Sequence, residues 1–307
     1  MTTESRPRPL KVGIMLPDTE REMGGDSPRW SDIAAMARAT EAVGFDSLWV
    51  SDHLLYRFER KDPRGIWECW SLLAALAAVT ARVEIGPLVS CTSFRNPALL
   101  AKIADTVDEI SNGRLILGLG AGWHRPEYDA FGYPFDHRVG RFEEALTIIS
   151  SLLRKGHVDF AGTYYQARDC ELRPRGPRPA GPPIMIGTTG TRMLRLTARH
   201  ADLWNAWGQH DPTAIPPLRE TVDAACRAED RDPTTLGRTV SVLIDLPSRA
   251  GRPREQPPFL TGEPEELAQT LRDLARQGIS HVQIVLDPNT VSGIEALAPM
   301  LAALDRG

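Results

Sequence analysis

Ser51, Asp52 and His53 stand directly after the run Ser47 to Val50. Imidazole changes charge near neutral pH, so a histidine at that place can donate or accept a proton. A loop histidine held in a hydrogen bond is the plain alternative. A second set lies in Arg114 to Arg141, RLILGLGAGWHRPEYDAFGYPFDHRVGR. Leu115, Ile116, Leu117 and Leu119 form an apolar run without helical period, which reads as a strand buried on both faces. Gly118, Gly120 and Gly122 interrupt it, and Trp123, His124, Arg125, Glu127 and Tyr128 follow. A third set, Gly187, Thr188, Thr189, Gly190, Thr191 and Arg192, leads into a helix. Free N–H groups at a helix start, with hydroxyls and an arginine, suit a phosphate; a Thr/Gly cap is the ordinary alternative. Val89, Ser90, Cys91 and Thr92 make a fourth set, small enough for a planar ring to lie against them.

Other chemistries lack their residues. There is no HExxH, no Cys/His metal spacing, no P-loop and no GxSxG. GLGAG is only loosely a dinucleotide fingerprint, without the acidic residue about 20 positions on. A metal set of Asp52, His53 and His124 would need outer hydrogen-bond partners that the sequence does not display. No metal is expected.

These sets fall at the ends of strands in a regular alternation. Strands are expected at Lys11 to Leu16, Ser47 to Val50, Val83 to Ser90, Arg114 to Leu119, Pro183 to Gly187, Asp202 to Ala206, Thr239 to Leu246 and His281 to Leu286. Helices are expected between them, for example after Ser27-Pro28, over Trp67 to Thr80, after Asn96-Pro97, around Phe142, Leu146, Ile149 and Leu153, and over Val291 to Leu304. A small hairpin is expected within Val158 to Tyr165. Eight strand-helix units without a linker predict an α/β fold, a (β/α)8 TIM barrel spanning 1–307 as one domain. Residues 1–10 read as a loose tail, and 155–181 and 247–260 as insertion loops. An open doubly wound sheet is the runner-up. In a barrel, the carboxyl ends of the strands form the site.

Composition sets outer limits. The 307 residues include 25% charged and 42% hydrophobic ones, with a net charge of -4. That balance favours neither nucleic acid nor an anionic membrane. The longest apolar run, Leu72 to Val79, is too short to span a bilayer. Cys69, Cys91, Cys170 and Cys226 are scattered and read as reduced thiols, which with the polar start points to the cytoplasm.

Taken together, GFDSLWVSDH (Gly44 to His53), RVEIGPLVSCTSFRNPALLAK (Arg82 to Lys102), DEISNGRLILGLGAGWHRPEYDAFG (Asp108 to Gly132), RFEEAL (Arg141 to Leu146) and PIMIGTTGTR with ADLWN (Pro183 to Asn205) resemble the bacterial-luciferase-like family. The resemblance is closer to its coenzyme F420-dependent branch. It covers Lys11 to Asn205 strongly and the last third more loosely. It implies a barrel with a flavin or deazaflavin at the strand carboxyl ends, and a non-proline cis peptide near Val89-Ser90 behind the ring. It places the phosphate grip at Gly187, Thr188, Thr189 and Gly190, with Arg192 nearby. It places the ring side at Asp52, His53, Val89, Ser90, Thr92, Gly122, Trp123 and His124.

The implied activity is hydride transfer between F420 and a small organic substrate. The alternative is an FMN-dependent monooxygenase that uses O2 and a separate reductase. A flavin-binding barrel without turnover is the non-enzyme alternative. A homodimer is also implied. Sugar-oxidising members carry a Glu where this chain has Trp123, which leaves His53 first and His124 second as the proton-transfer group. Aromatic residues such as Trp67, Trp70, Tyr128, Phe131 and Trp207 suggest an apolar or aromatic substrate. Arg57, Arg60, Arg64, Arg173, Arg175 and Arg178 are placed to meet an anionic cofactor tail or to be plain solvated faces.

Overall fold

The computed structural model describes residues 8–23, 25–209, 211–247 and 259–306. Most of the expected loop at 247–260 lies outside them. The strands are β1 (Lys11–Met15), β2 (Ser47–Val50), β3 in two segments (Glu84–Pro87 and Ser90–Cys91), β4 (Leu117–Gly120), β5 (Ile184–Gly187), β6 (Leu203–Ala206), β7 (Gly237–Asp245) and β8 (His281–Asp287). All neighbours are parallel, in the order β3-β2-β1-β8-β7-β6-β5-β4-β3. The two segments of β3 stand at the two ends of that order, and Ile85 also bridges to Leu115. The sheet therefore closes on itself as an eight-stranded barrel, which excludes the open sheet.

Helices α1 (Trp30–Val43), α2 (Cys69–Val79), α3 (Pro97–Ile110), α4 (Arg125–Phe131), α5 (Arg138–Lys155), α6 (Thr191–His200), α7 (Ile215–Ala228), α8 (Pro264–Arg276), α9 (Val291–Ala296) and α10 (Ala298–Asp305) follow the strands. Their apolar stripes show why the chain chooses helix there. In α5, Phe142, Leu146, Ile149 and Leu153 recur at three and four residues and are fully buried. They join one core with outward-facing strand residues such as Ile14, Leu117 and Ile184. Inside the barrel Trp49, Leu88, Ile116 and Met185 form a separate cluster. Its amino-terminal end is sealed by a polar plug: Trp49 Nε1 donates to Ser47 Oγ at 2.8 Å, and Ser47 Oγ lies 2.7 Å from His281 Nε2. Burial, with the charge of Lys11 adding, pushes the His281 imidazole down to about 3, so this plug is neutral. The cysteines are free. No helix among the described residues is long and apolar enough to cross a membrane.

Several details differ from the sequence expectation. The cis peptide is Leu88-Val89, one bond earlier than Val89-Ser90, and it falls in the gap between the two segments of β3. Arg29, not Ser27, caps α1. The expected closing helix is broken at Leu297. The hairpin exists, but its second strand, Gln166–Glu171, begins after Tyr165. The polar loop after β2 contains a small ribbon, Leu55–Tyr56 against Arg64–Gly65. The long loop after β4 contains α4, started by Pro126 and ended by Gly132 in the left-handed region. Short elements of this kind leave no periodicity to read.

Candidate active site

Val89, which follows the cis bond, faces the barrel mouth, and glycines make room for its side chain. A Cβ on Gly120 would stand 2.7 Å from Val89 Cγ2, and one on Gly187 would stand 3.1 Å from Val89 Cγ1. The glycines of β4 and β5 thus clear a flat floor around one valine. Gly122 then turns with φ +73, where a side chain would collide with Tyr128 Oη and Cys91 Sγ. Arg138 holds this turn by donating to Gly122 O at 2.6 Å while stacking on Phe135.

A cavity of about 800 Å³ opens above this floor. Its walls include Asp52, His53, Tyr56, Val89, Trp123 and Thr188. Of the residues expected from the sequence, Gly122, Gly187 and Thr189 also line it, whereas Ser90, Thr92, His124, Gly190 and Arg192 do not.

Asp52 lines the wall, but its carboxylate is committed to the protein. It accepts from Ser90 Oγ at 2.7 Å, Cys91 N at 2.9 Å, and Arg95 through both guanidinium ends at 2.7 and 3.0 Å. Burial opposes the Arg95 charge, yet the Asp52 and Glu68 carboxylates outweigh it and raise its pKa further. Asp52 therefore ties β2 to the second segment of β3. Ser90 and Thr92 are fully buried behind the wall.

His53 faces a carboxyl group that sequence reasoning did not single out. Its Nδ1 lies 2.8 Å from Glu127 Oε1 on α4, and Glu127 Oε2 accepts from Leu54 N at 2.8 Å. Glu127 is only 1% exposed. Tyr56 packs at 4.6 Å between ring centres and Trp123 stands edge-on at 5.5 Å. Trp123 itself is 57% exposed although it lines the cavity and stacks on Phe58. His124 plays a different part. Its Nε2 accepts from Arg57 N at 3.0 Å, so its proton sits on Nδ1. Burial lowers its pKa. It pins the loop after β2 from beneath.

The opposite wall is the turn between β5 and α6. Trp204 Nε1 donates to Thr188 O at 2.7 Å, and Gly190 N donates to Thr188 Oγ1 at 3.1 Å. No side chain caps α6, so its first N–H groups point out of the turn. Arg192 reaches away to Glu143 at 2.6 Å. Beyond it lies a second cavity of about 670 Å³, bordered by Arg138, Arg192, Tyr164 and Phe160.

Arg175 and Arg178, read from sequence either as a contact for a cofactor tail or as a solvated face, make structural contacts. Arg178 Nε donates to Asp108 at 2.9 Å and Arg175 to Leu153 O at 2.6 Å. Arg178 also reaches Leu115 O, at the amino-terminal side of β4, which is the end of the barrel remote from the mouth.

The cavity at the strand ends, with its valine floor and the uncapped start of α6 beside it, is the candidate active site, and comparison with known proteins places the chain in a family. Residues 10–247 match the luciferase-like monooxygenase model, and the chain belongs to that family of enzymes. Among its relatives is the pyrimidine monooxygenase RutA of Pantoea ananatis, 30% identical over 93% of this chain and 82% of that protein. RutA of Methylorubrum extorquens AM1 is 37% identical over 60% of this chain. The F420-dependent glucose-6-phosphate dehydrogenase of Amycolatopsis mediterranei is 36% identical over 56%. The chain spans about half the length of each of the last two, 52% and 51%. An F420-dependent secondary alcohol dehydrogenase, in complex with an F420-acetone adduct, shares the fold at a TM-score of 0.81 with 18% identity, over 96% of this chain and 99% of its own.

Proposed function

We propose that this protein transfers a hydride between coenzyme F420 and a small, uncharged organic molecule at the barrel mouth. The observation that carries this reading is the imidazole of His53, held at Nδ1 by Glu127 and lining the same cavity as the Val89 floor and the Thr188 turn. The fit to such a cofactor rests on two features. The glycine-cleared floor leaves a flat face for a planar ring, and the first N–H groups of α6 suit its phosphate. The second cavity adjoins the phosphate turn and has room for the chain that F420 carries beyond its phosphate and FMN lacks; its border joins Arg138 and Arg192 with Glu143 and Glu144.

When bound, the reduced deazaflavin supplies a hydride from C5. The chain's own part lies at the other end of the reacting bond. Val89 would back the ring, and the turn at Thr188 and Thr189 would hold its phosphate. Trp123, Tyr56 and Trp207 give an apolar wall against which an apolar or aromatic substrate packs. Protonated His53 gives the Nε2 proton to the substrate oxygen or nitrogen as negative charge develops there, and neutral His53 takes it back in the oxidation direction.

A second reading is favoured by the RutA relative that aligns with 93% of the chain: an FMN-dependent monooxygenase using O2 and a separate reductase. Turnover separates the two. Under strict exclusion of O2, reduced F420 with the protein and a panel of aromatic and alicyclic ketones and enones should be oxidised in step with substrate reduction. Turnover that requires FMN, a reductase and O2 would establish the second reading instead.

A further inference from the structure

We propose that Glu127, on α4, is the positioning residue that makes His53 a proton donor. The inference rests on the reading of His53 as the proton-transfer group. The Glu127 carboxylate is almost completely enclosed, and it meets three donors of the chain: His53 Nδ1 at 2.8 Å, Leu54 N at 2.8 Å and Leu55 N at 3.5 Å. A carboxylate fixed by two backbone N–H groups cannot swing away from the imidazole. It therefore holds the Nδ1–H tautomer and leaves Nε2 as the nitrogen that can face a reactant. The flanking rings of Tyr56 and Trp123 restrict rotation of the imidazole.

The same charge stabilises the imidazolium, as carboxylates do for histidines in other active sites. During reduction the proton leaves Nε2 for the substrate heteroatom. The Nδ1 proton stays on His53, Glu127 remains ionised, and water restores the Nε2 proton. The other groups acting on His53 are Asp18, His124 and the Tyr56 phenol. Burial raises the Tyr56 pKa, so its hydroxyl stays neutral, and burial keeps His124 uncharged. Asp52, next in sequence, is neutralised by Arg95. Glu127 is thus the carboxylate in direct contact with the imidazole.

The test is Glu127→Gln, which keeps size and one acceptor but removes the charge. Two readouts are taken. The first is nitrogen-15 NMR of the imidazoles of the full chain without cofactor, with His53→Ala to assign the signal. The wild type should show neutral His53 with its proton on Nδ1, and the variant should show a mixture of tautomers. The second is the pH dependence of kcat with F420. In the variant, kcat should fall about 10- to 100-fold, with KM and F420 affinity within about threefold of wild type, and the pH profile of kcat should change. Glu127→Asp, which retains the charge, should keep the wild-type profile at reduced kcat and serves if the Gln variant does not fold. Neutral wild-type His53 carrying its proton on Nε2 would overturn the proposal. So would an unchanged pH profile with only stability or KM altered. Failure of F420 turnover would count against the proposed function, while the NMR result would still decide the role of Glu127.

Discussion

Replacing His53 by Ala should lower kcat about 10²- to 10⁴-fold, the range of a single well-placed acid or base, while F420 binding changes by only a few fold. The reasoning is geometric. His53 lines the cavity, but the floor and the phosphate turn are made by other residues, on β3 to β6 and α6. Binding and proton transfer are therefore separable. Deleting the imidazole leaves the Glu127 carboxylate without its side-chain donor, though Leu54 N still satisfies it. The variant should consequently fold. The measurement is kcat, with the cofactor dissociation constant found separately by fluorescence quenching. Wild-type turnover by the variant would remove His53 from the reaction.

The second large effect is on stability. Asp52→Ala should destabilise the fold by about 3–5 kcal/mol, the cost of leaving one partner of a buried ion pair alone. The Asp52 side chain is fully buried, and the Arg95 guanidinium beside it is 11% exposed. Without Asp52, Arg95 keeps only Glu68, itself 45% exposed, and Ser90 Oγ and Cys91 N lose their acceptor. The loss falls on the segment that follows Val89, so F420 affinity should drop as well. Asp52→Asn, which retains an acceptor, should be milder. Urea unfolding checks this. A change below about 1 kcal/mol would mean that the ion pair does not hold β2 to β3.

Much of this arrangement is legible in the sequence. The eight apolar runs give the barrel strands because each is buried on both faces, and the residues after them give the mouth. Asp52-His53, Val89, Gly122-Trp123 and Gly187 to Thr189 do reach one cavity. The roles are harder to read. Asp52 looks like a cofactor contact until Arg95, 43 positions away, is seen on both of its oxygens. Glu127 pairs with His53 across 74 positions, through a seven-residue helix too short to show a period. His124 has the right type and place, but its ring is spent on a backbone N–H of the preceding loop. Arg175 and Arg178 resemble a basic rim in sequence and are struts at the opposite end of the barrel. Local pattern fixes where a strand ends; which side chain meets which is decided by contacts between distant segments.

The central claim is that the mouth of this barrel is built for F420. Titrating the purified protein with F420 and with FMN, each followed by fluorescence quenching or calorimetry, tests it most directly. F420 affinity is expected to be at least about tenfold above that for FMN, a difference of about 1.4 kcal/mol, and to fall when Arg138 and Arg192, which border the second cavity, are both replaced. Tight FMN binding with weak F420 binding would contradict it and point to oxygen chemistry with a partner reductase. Binding of neither would contradict the phosphate turn as well.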